Sequence, residues 1–202
     1  ARPRRCGQLR HLVGAVEAQL AASPAGCDPL DTRRCLLPFP SDSLTVIDDT
    51  SVTNRRVAFP AGELPTNSSG IDIDPMAWNR NDGFSANSPL LTWIEDFDPQ
   101  ASKLPSWTDL ASSLSADSSV VLVDTTSGDR IPLWAEVDVD SAADDGQLLV
   151  VRPAISLAPA TTYAVGLHNL VTIDGTPVEP SPMFQAYRDG LATDIAEVEA
   201  RR

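Results

Sequence analysis

Between residues 118 and 178, short apolar runs alternate with turn residues, and no other feature of the chain restricts its fold as much. In residues 130–140, apolar and polar side chains take alternate positions, as in a strand with one face toward a core and one toward water. Gly128, in the preceding Ser-Gly-Asp turn, suits the left-handed backbone of a hairpin. Further strands are predicted over 118–124, 147–153 and 161–171. Several short strands at regular spacing predict a β-sandwich over 118–190.

The segment 27–117 is rich in prolines, of which the whole chain has 17. Proline is poorly tolerated inside helices and central strands, so we expect a strand-and-loop segment that packs on the sandwich. Two short helices are predicted in it. One begins at Asp74-Pro75, and the other is capped by Ser106. The second helix places apolar residues at helical spacing, namely Trp107, Leu110, Ala111 and Leu114.

Both ends of the chain have helical patterns. Residues 1–26 contain an amphipathic helix over 8–22, whose apolar stripe is Leu9, Leu12, Val13, Val16 and Leu20. The pattern of residues 191–202 predicts the start of a helix that leads to a missing downstream domain. Asp194 is its predicted cap. Ile195 and Val198 are expected to pack on that following domain, because a helix this short needs a packing partner.

The net charge is −13, with 15 basic and 28 acidic side chains. Binding to phosphate backbones needs a basic surface, so a nucleic-acid partner is not expected. No uninterrupted apolar run reaches the roughly 18–20 residues of a membrane span.

Three acidic residues, Glu136, Asp138 and Asp140, alternate along a predicted strand. We interpret them as the solvent face of that strand rather than as the carboxylate pair of a glycosidase.

The chain has three cysteines. Cys27 and Cys35 bracket a short loop and are predicted to form a disulfide, with buried free thiols as the alternative. Cys6 is left over as a free thiol. A disulfide indicates an oxidising compartment, so a secreted or cell-surface location is expected. The sequence shows no signal peptide, and a secreted chain would already have lost its leader.

Several stretches of this sequence resemble known secreted bacterial proteins. Leu157, Pro159, Thr161, Tyr163 and Val165, followed by an Asp-Gly turn, are similar to the "L-x-P-x-T-x-Y-x-V" pattern of bacterial immunoglobulin-like modules. The strings LPFPSD and WNRNDGFS resemble the N-terminal region of secreted lipase- or esterase-like proteins. The resemblance implies a mostly β, immunoglobulin-like sandwich with a proline-rich N-terminal extension. It also implies an α/β-hydrolase domain downstream as its partner.

The catalytic part of such a hydrolase is not visible in this sequence. A nucleophile elbow needs G-x-S-x-G, whereas Gly83-Phe84-Ser85-Ala86-Asn87 lacks the second glycine. The histidines are His11, on the polar side of a helix, and His168, in a strand end. We therefore expect this segment to be non-catalytic, although the parent protein of the resemblance is a serine hydrolase.

A candidate ligand or calcium loop surrounds the string NRNDG. Its oxygen donors are Asp72, Asp74 and Asp82, and Arg80 adds a guanidinium suited to a sugar or peptide. The alternative is an internal network that pins a long loop and holds Trp78 and Phe84 in the core. No cofactor other than calcium is expected.

Two classes of function follow from the sequence. The first is a non-catalytic accessory region of a secreted lipase- or esterase-like hydrolase, which aids folding, substrate access or surface attachment. The second is a stand-alone extracellular module that binds cell-surface carbohydrate or protein. An enzyme whose site has no known motif is a third interpretation.

Overall fold

A computed structural model describes residues 3–23, 27–28, 30–31, 34–62, 64–141 and 146–201. The chain divides into two compact units. The helical unit comprises Ala1–Leu37, Phe59–Pro75 and Glu179–Arg202, and the strand unit comprises Pro38–Ala58 and Met76–Val178. Each unit is assembled from separate stretches of sequence. The predicted segments 1–26, 27–117, 118–190 and 191–202 were consecutive, so the observed division differs from them.

The strand unit contains three small antiparallel sheets. Its strands are β1 (Thr45–Ile47), β2 (Arg55–Val57), β3 (Leu90–Ile94), β4 (Val120–Asp124), β5 (Arg130–Ile131), β6 (Leu133–Val137), β7 (Gln147–Pro153) and β8 (Tyr163–Leu167). Strands β1 and β2 pair with each other, and the other two sheets have the orders β3-β7-β6 and β5-β4-β8. The prediction of a mostly β chain with few helices is confirmed.

The predicted strand 130–140 is divided between two sheets at Pro132. Ile131 pairs with Leu122 in one sheet, whereas Leu133 pairs with Pro153 in the other. Proline has no N–H to give to a strand ladder, so the chain changes partners at this position. The Pro132 carbonyl accepts a hydrogen bond from the Ala154 N–H at 2.8 Å. The expectation of one continuous strand was therefore wrong.

Buried residues from both three-stranded sheets belong to one hydrophobic cluster. The cluster contains Phe97, Val120, Leu122, Leu133, Ala135, Leu149, Val151 and Leu170. On β6, Leu133 and Ala135 are buried, while Trp134 and Glu136 lie on the opposite face of the strand. The predicted alternation of buried and solvent-facing residues along this strand is confirmed.

The helical unit is built from α1 (Pro3–Ala22), α2 (Pro182–Arg188) and α3 (Ala196–Ala200). Its fully buried residues are Val16, Met183, Ala186 and Val198, and the partly buried Leu12 and Leu20 pack against them. The predicted helix over 8–22 is confirmed and begins earlier, at Pro3. Helix α2 was not predicted, although Ser181 caps it and Pro182 occupies its first turn.

The C-terminal helix packs within the helical unit. Val198 is completely buried in the cluster that includes Val16, and Ile195 packs against that cluster. The expectation that these two side chains contact a following domain was wrong. Asp194 was also wrongly predicted as the cap, because the helix has Ile195 at the N-cap position without a side-chain bond. Instead Glu199 accepts hydrogen bonds from the N–H and hydroxyl of Thr193.

Cys27 and Cys35 form a disulfide, as predicted, with 4.3 Å between their Cα atoms. Asp28, just inside this loop, accepts the Leu30 N–H at 3.0 Å and forms an ion pair with Arg201. The side chain of Cys6 lies outside the described residues. None of the helices in the described part of the chain combines the length and apolar character needed to cross a bilayer.

The turn between β1 and β2 holds a strongly bonded carboxylate, Asp48. It accepts hydrogen bonds from the Thr50 N–H at 2.9 Å, from the Thr50 hydroxyl at 2.5 Å and from Arg56 Nε at 2.7 Å. All three donors favour the ionised form. The Thr50 hydroxyl has the largest effect, followed by Arg56, and together these bonds lower the pKa of Asp48 to about 2.

We expect the Asp48 carboxyl to titrate with a midpoint of about 2 in the folded chain. Because this pKa lies below the ordinary value of about 3.9, the ionised Asp48 stabilises the fold above about pH 4. That contribution is lost as the pH falls through the folded-state pKa. Carboxyl carbon NMR measures the midpoint. Thr50→Val should raise the pKa, while Thr162→Val, a threonine away from this turn, should not. A midpoint near the ordinary value in the unaltered chain would contradict the bonding described.

Candidate functional site

The outward face of the β3-β7-β6 sheet carries a compact group of polar and aromatic side chains. Trp134 and Glu136 lie on β6, and Arg152 is the cross-strand neighbour of Trp134 on β7. Arg152 Nε donates a hydrogen bond to Glu136 Oε1 at 2.6 Å, and the two side chains are 42% and 47% exposed. The ion pair holds both charged groups in a defined orientation beside the indole of Trp134.

Residues 105–113 run along the outer edge of β6. The Ala135 N–H donates to the Pro105 carbonyl at 2.9 Å, and the Leu133 N–H donates to Ser113 Oγ at 3.1 Å. An edge strand presents N–H groups that need partners, and this segment supplies them. The same bonds fix the segment beside Trp134, so that residues 107 and 110 come to the outward face of the sheet.

The turn that follows Pro105 differs from the prediction. Asp109, rather than Ser106, caps the 3₁₀ helix Leu110–Leu114, by accepting the Ser112 N–H at 3.3 Å. Trp107 is 71% exposed, and Leu110 and Leu114 are 36% and 45% exposed. These side chains were expected to form the apolar face of a helix. They are exposed because Ser113 is the buried residue of this helix and bonds to β6.

Five side chains line an open cleft of about 590 Å³ on this face. They are Trp107, Leu110, Trp134, Glu136 and Arg152. The cleft is shallow and open to solvent, so a ligand would contact it along one face. Two indoles and a leucine provide apolar walls, and the ion pair adds hydrogen-bond donors and acceptors with no net charge. Such a surface is suited to binding a ligand that has both an apolar face and hydroxyl or amide groups.

The residues of the candidate ligand loop are divided between the two units. Asp72 and Asp74 lie in the helical unit, and Arg80 and Asp82 lie in the strand unit. All four residues are exposed. Among the described residues, no three His, Cys, Asp or Glu side chains form a group that could hold a metal ion. Calcium binding by this loop stays a prediction.

Within the strand unit, the loop is held through its backbone carbonyls. The Asn81 carbonyl accepts the Val57 N–H at 2.9 Å, the Arg80 carbonyl accepts the Arg56 guanidinium, and the Asp82 carbonyl accepts the Thr53 hydroxyl. These bonds support the interpretation of a pinned loop. Trp78 and Phe84 were both expected to be buried, but only Phe84 packs inward. Phe84 is half-buried and packs edge-on against Phe39, with 5.4 Å between ring centroids. Trp78 is 46% exposed.

The residues considered for hydrolysis take other roles. Ser85 is exposed, and its Oγ accepts the Asn87 N–H at 3.3 Å. His168 is half-buried just after β8, where its backbone N–H donates to the Ser119 carbonyl. His11 is exposed on α1, in the helical unit. Glu136, considered above only as part of a solvent face, is paired with Arg152 in the cleft.

Comparison of this chain with protein-family models, curated proteins and solved structures finds no match. The functional interpretation of the cleft therefore rests on its geometry alone. Sequence reasoning did not identify Trp107, Leu110, Trp134 or Arg152 as site residues. One signal was present: Trp134 occupies a solvent-facing position in the alternating pattern of β6, where a large aromatic side chain is unusual.

Proposed function

We propose that this chain is an extracellular, non-catalytic binding module and that the cleft between Trp107 and Trp134 is its ligand site. The observation that carries the proposal is the exposure of Trp107, 71%, on a segment fixed by hydrogen bonds to a sheet. Large exposed aromatic side chains in a preformed cleft are typical of binding sites. The Cys27–Cys35 disulfide supports the extracellular assignment, because such bonds persist in oxidising compartments.

We further propose that the strand unit is an immunoglobulin-like sandwich. In that fold, strands in the order A-B-E-D form one sheet and C, F and G form the other. If β3, β4, β6, β7 and β8 are named B, C, D, E and F, the observed neighbours B-E-D and C-F agree with this order. The bridge between Phe39 and Leu91 lies where strand A would pair with B. The hydrophobic cluster shared by the two sheets adds support.

A tyrosine contact also supports this fold. Tyr163 is the first residue of β8, and its hydroxyl accepts the Ala158 N–H at 2.8 Å. A tyrosine at the start of strand F that bonds to backbone a few residues upstream is a common feature of immunoglobulin-like domains. Tyr163 is also part of the pattern on which the sequence resemblance rests.

The resemblance to secreted lipase- and esterase-like proteins supports a more specific proposal, that the module is an accessory region of such a hydrolase. On this proposal the cleft would hold a surface or substrate component while a separate domain performs catalysis. The reading frame beyond Arg202 tests this part, because an accessory region would be followed by a G-x-S-x-G elbow.

Indole NMR tests the ligand site directly, since the chain has four tryptophans and each gives one indole N–H resonance. We expect a screen of neutral oligosaccharides and proline-rich peptides to shift the resonances of Trp107 and Trp134. The resonance of Trp78, an exposed tryptophan outside the cleft, should stay in place. If no compound shifts Trp107 and Trp134, or if every active compound shifts Trp78 equally, the cleft is not the ligand site.

A further inference from the structure

We infer that the cleft binds a neutral carbohydrate, with a sugar ring stacked on Trp107 and its hydroxyl groups bonded to the Arg152–Glu136 pair. This inference rests on the proposed binding function and names the ligand class of the same site. It follows from three properties of the cleft: the exposure of its aromatic wall, the arrangement of its polar groups, and its charge.

The aromatic wall suits the C–H face of a pyranose. The face of an indole carries negative charge density, and the axial C–H groups of a sugar ring carry partial positive charge, so the two surfaces attract each other. Trp107 is 71% exposed, which leaves its ring accessible to a ligand. Trp134 and Leu110 line the same cleft and supply further apolar contact.

The ion pair suits neighbouring hydroxyl groups. An arginine has five N–H donors, and only Nε of Arg152 is used in the bond to Glu136 Oε1. The second carboxylate oxygen, Oε2, takes no part in that bond. Adjacent sugar hydroxyls both donate and accept, so they can bond to the guanidinium and the carboxylate at once. Because the pair is already formed, little side-chain ordering is required when the ligand binds.

Charge and hydrogen-bond chemistry argue against the two main alternatives, an acidic glycan and a proline-rich peptide. The pair has no net charge, and the chain carries −13 overall, so an acidic glycan would be repelled. A proline-rich peptide also stacks on tryptophan, but its prolines have no N–H and offer only carbonyl acceptors. Such a peptide would offer no donor to Glu136 Oε2, the oxygen outside the bond to Arg152, whereas a sugar hydroxyl supplies one. The observations therefore favour carbohydrate.

The test uses the full chain and defined oligosaccharides, with calorimetry and indole NMR as readouts. The probes are neutral hexamers of glucose, mannose and N-acetylglucosamine, an acidic hexamer of galacturonic acid, and a decamer of proline. We expect at least one neutral hexamer to bind and to shift Trp107 and Trp134, and the acidic hexamer not to bind. Trp107→Ala should weaken that binding at least tenfold, since stacking is lost. Arg152→Lys should also weaken it, because lysine lacks the planar fork.

Matched variants separate binding from folding. Trp78→Ala removes another exposed tryptophan, and Arg188→Lys alters an exposed ion pair of the helical unit, so both should bind like the unaltered chain. Thermal unfolding should show that Trp107→Ala stays folded, because that side chain is mostly exposed. The inference is overturned if no neutral hexamer binds, or if one binds equally well to Trp107→Ala. If the proline decamer alone shifts Trp107 and Trp134, the inference fails and the proposed function stands. If no probe shifts them, both fail.

Discussion

Gly146→Ala is expected to lower the free energy of unfolding by about 3–4 kcal/mol, the largest effect of any single methyl group that we predict for this chain. Gly146 immediately precedes β7 and has a φ of +145°. An added Cβ would lie 2.3 Å from the Ile94 carbonyl oxygen, 2.7 Å from Trp93 Nε1 and 2.9 Å from the Glu95 Cα. The Ile94 oxygen and the Glu95 Cα are backbone atoms at the end of β3. Because β3 pairs with β7, they cannot move without breaking hydrogen bonds between the two strands.

Gly166→Ala is the matched control, because it adds the same methyl group within β8. The nearest atom to its Cβ would be Val121 Cβ at 4.0 Å, an ordinary contact. We expect this variant to be neutral or slightly stabilising, since glycine is unfavourable inside strands. Urea unfolding followed by tryptophan fluorescence reports on the relevant unit, because all four tryptophans lie in the strand unit. Equal midpoints for the two variants would show that Gly146 is not sterically required.

Arg201→Met is expected to destabilise the helical unit by about 3 kcal/mol, because it removes the guanidinium from a buried carboxylate. The side chain of Asp28 is 4% exposed and that of Arg201 is 25% exposed. The Arg201 guanidinium also lies 5.2 Å from the centroid of the Tyr187 ring, and the Tyr187 hydroxyl donates to the Val198 carbonyl. Methionine keeps the unbranched apolar stem of arginine but not the guanidinium, so the loss comes mainly from the missing charge and its hydrogen bond to Asp28.

Circular dichroism at helical wavelengths measures this effect, because α1, α2 and α3 all lie in the helical unit. Arg188→Met is the control. Its partner Asp189 is 38% exposed, and exposed pairs contribute only about 0–1 kcal/mol. Adding Asp28→Asn to Arg201→Met should recover part of the loss, since the double variant no longer buries a carboxylate. If Arg201→Met unfolds at the same urea concentration as Arg188→Met, the buried pair does not stabilise this unit.

Local features of the chain could be predicted well from sequence. The helix over 8–22, the strand 147–153 and the turn at Asp174-Gly175 depend on nearest neighbours, namely hydrophobic periodicity and the backbone freedom of glycine at φ +81°. The Cys27–Cys35 disulfide also joins residues that are close in sequence. In each case the information needed lies within one turn, one strand or one short loop.

The candidate site depends on contacts between distant segments. Trp107 joins Trp134 and Arg152 only because residues 105–113 bond to the edge of β6. The helical spacing of Trp107 and Leu110 instead suggested a buried face. No pattern within that segment shows that Ser113 would take the buried position by bonding to the Leu133 N–H, 20 residues away.

Hydrophobic periodicity and turn residues were enough to predict the strand and helix periods, the turns and the alternation that places Trp134 on the outer face of β6. The pairing of the strands, the change of sheet at Pro132 and the packing of Val198 in the same cluster as Val16 are visible only in the folded chain. Periodicity reports which side of an element is apolar but not which other element covers it. That choice depends on hydrogen-bond partners and packing across long sequence separations. The same choice leaves two indoles and an ion pair exposed together as a cleft.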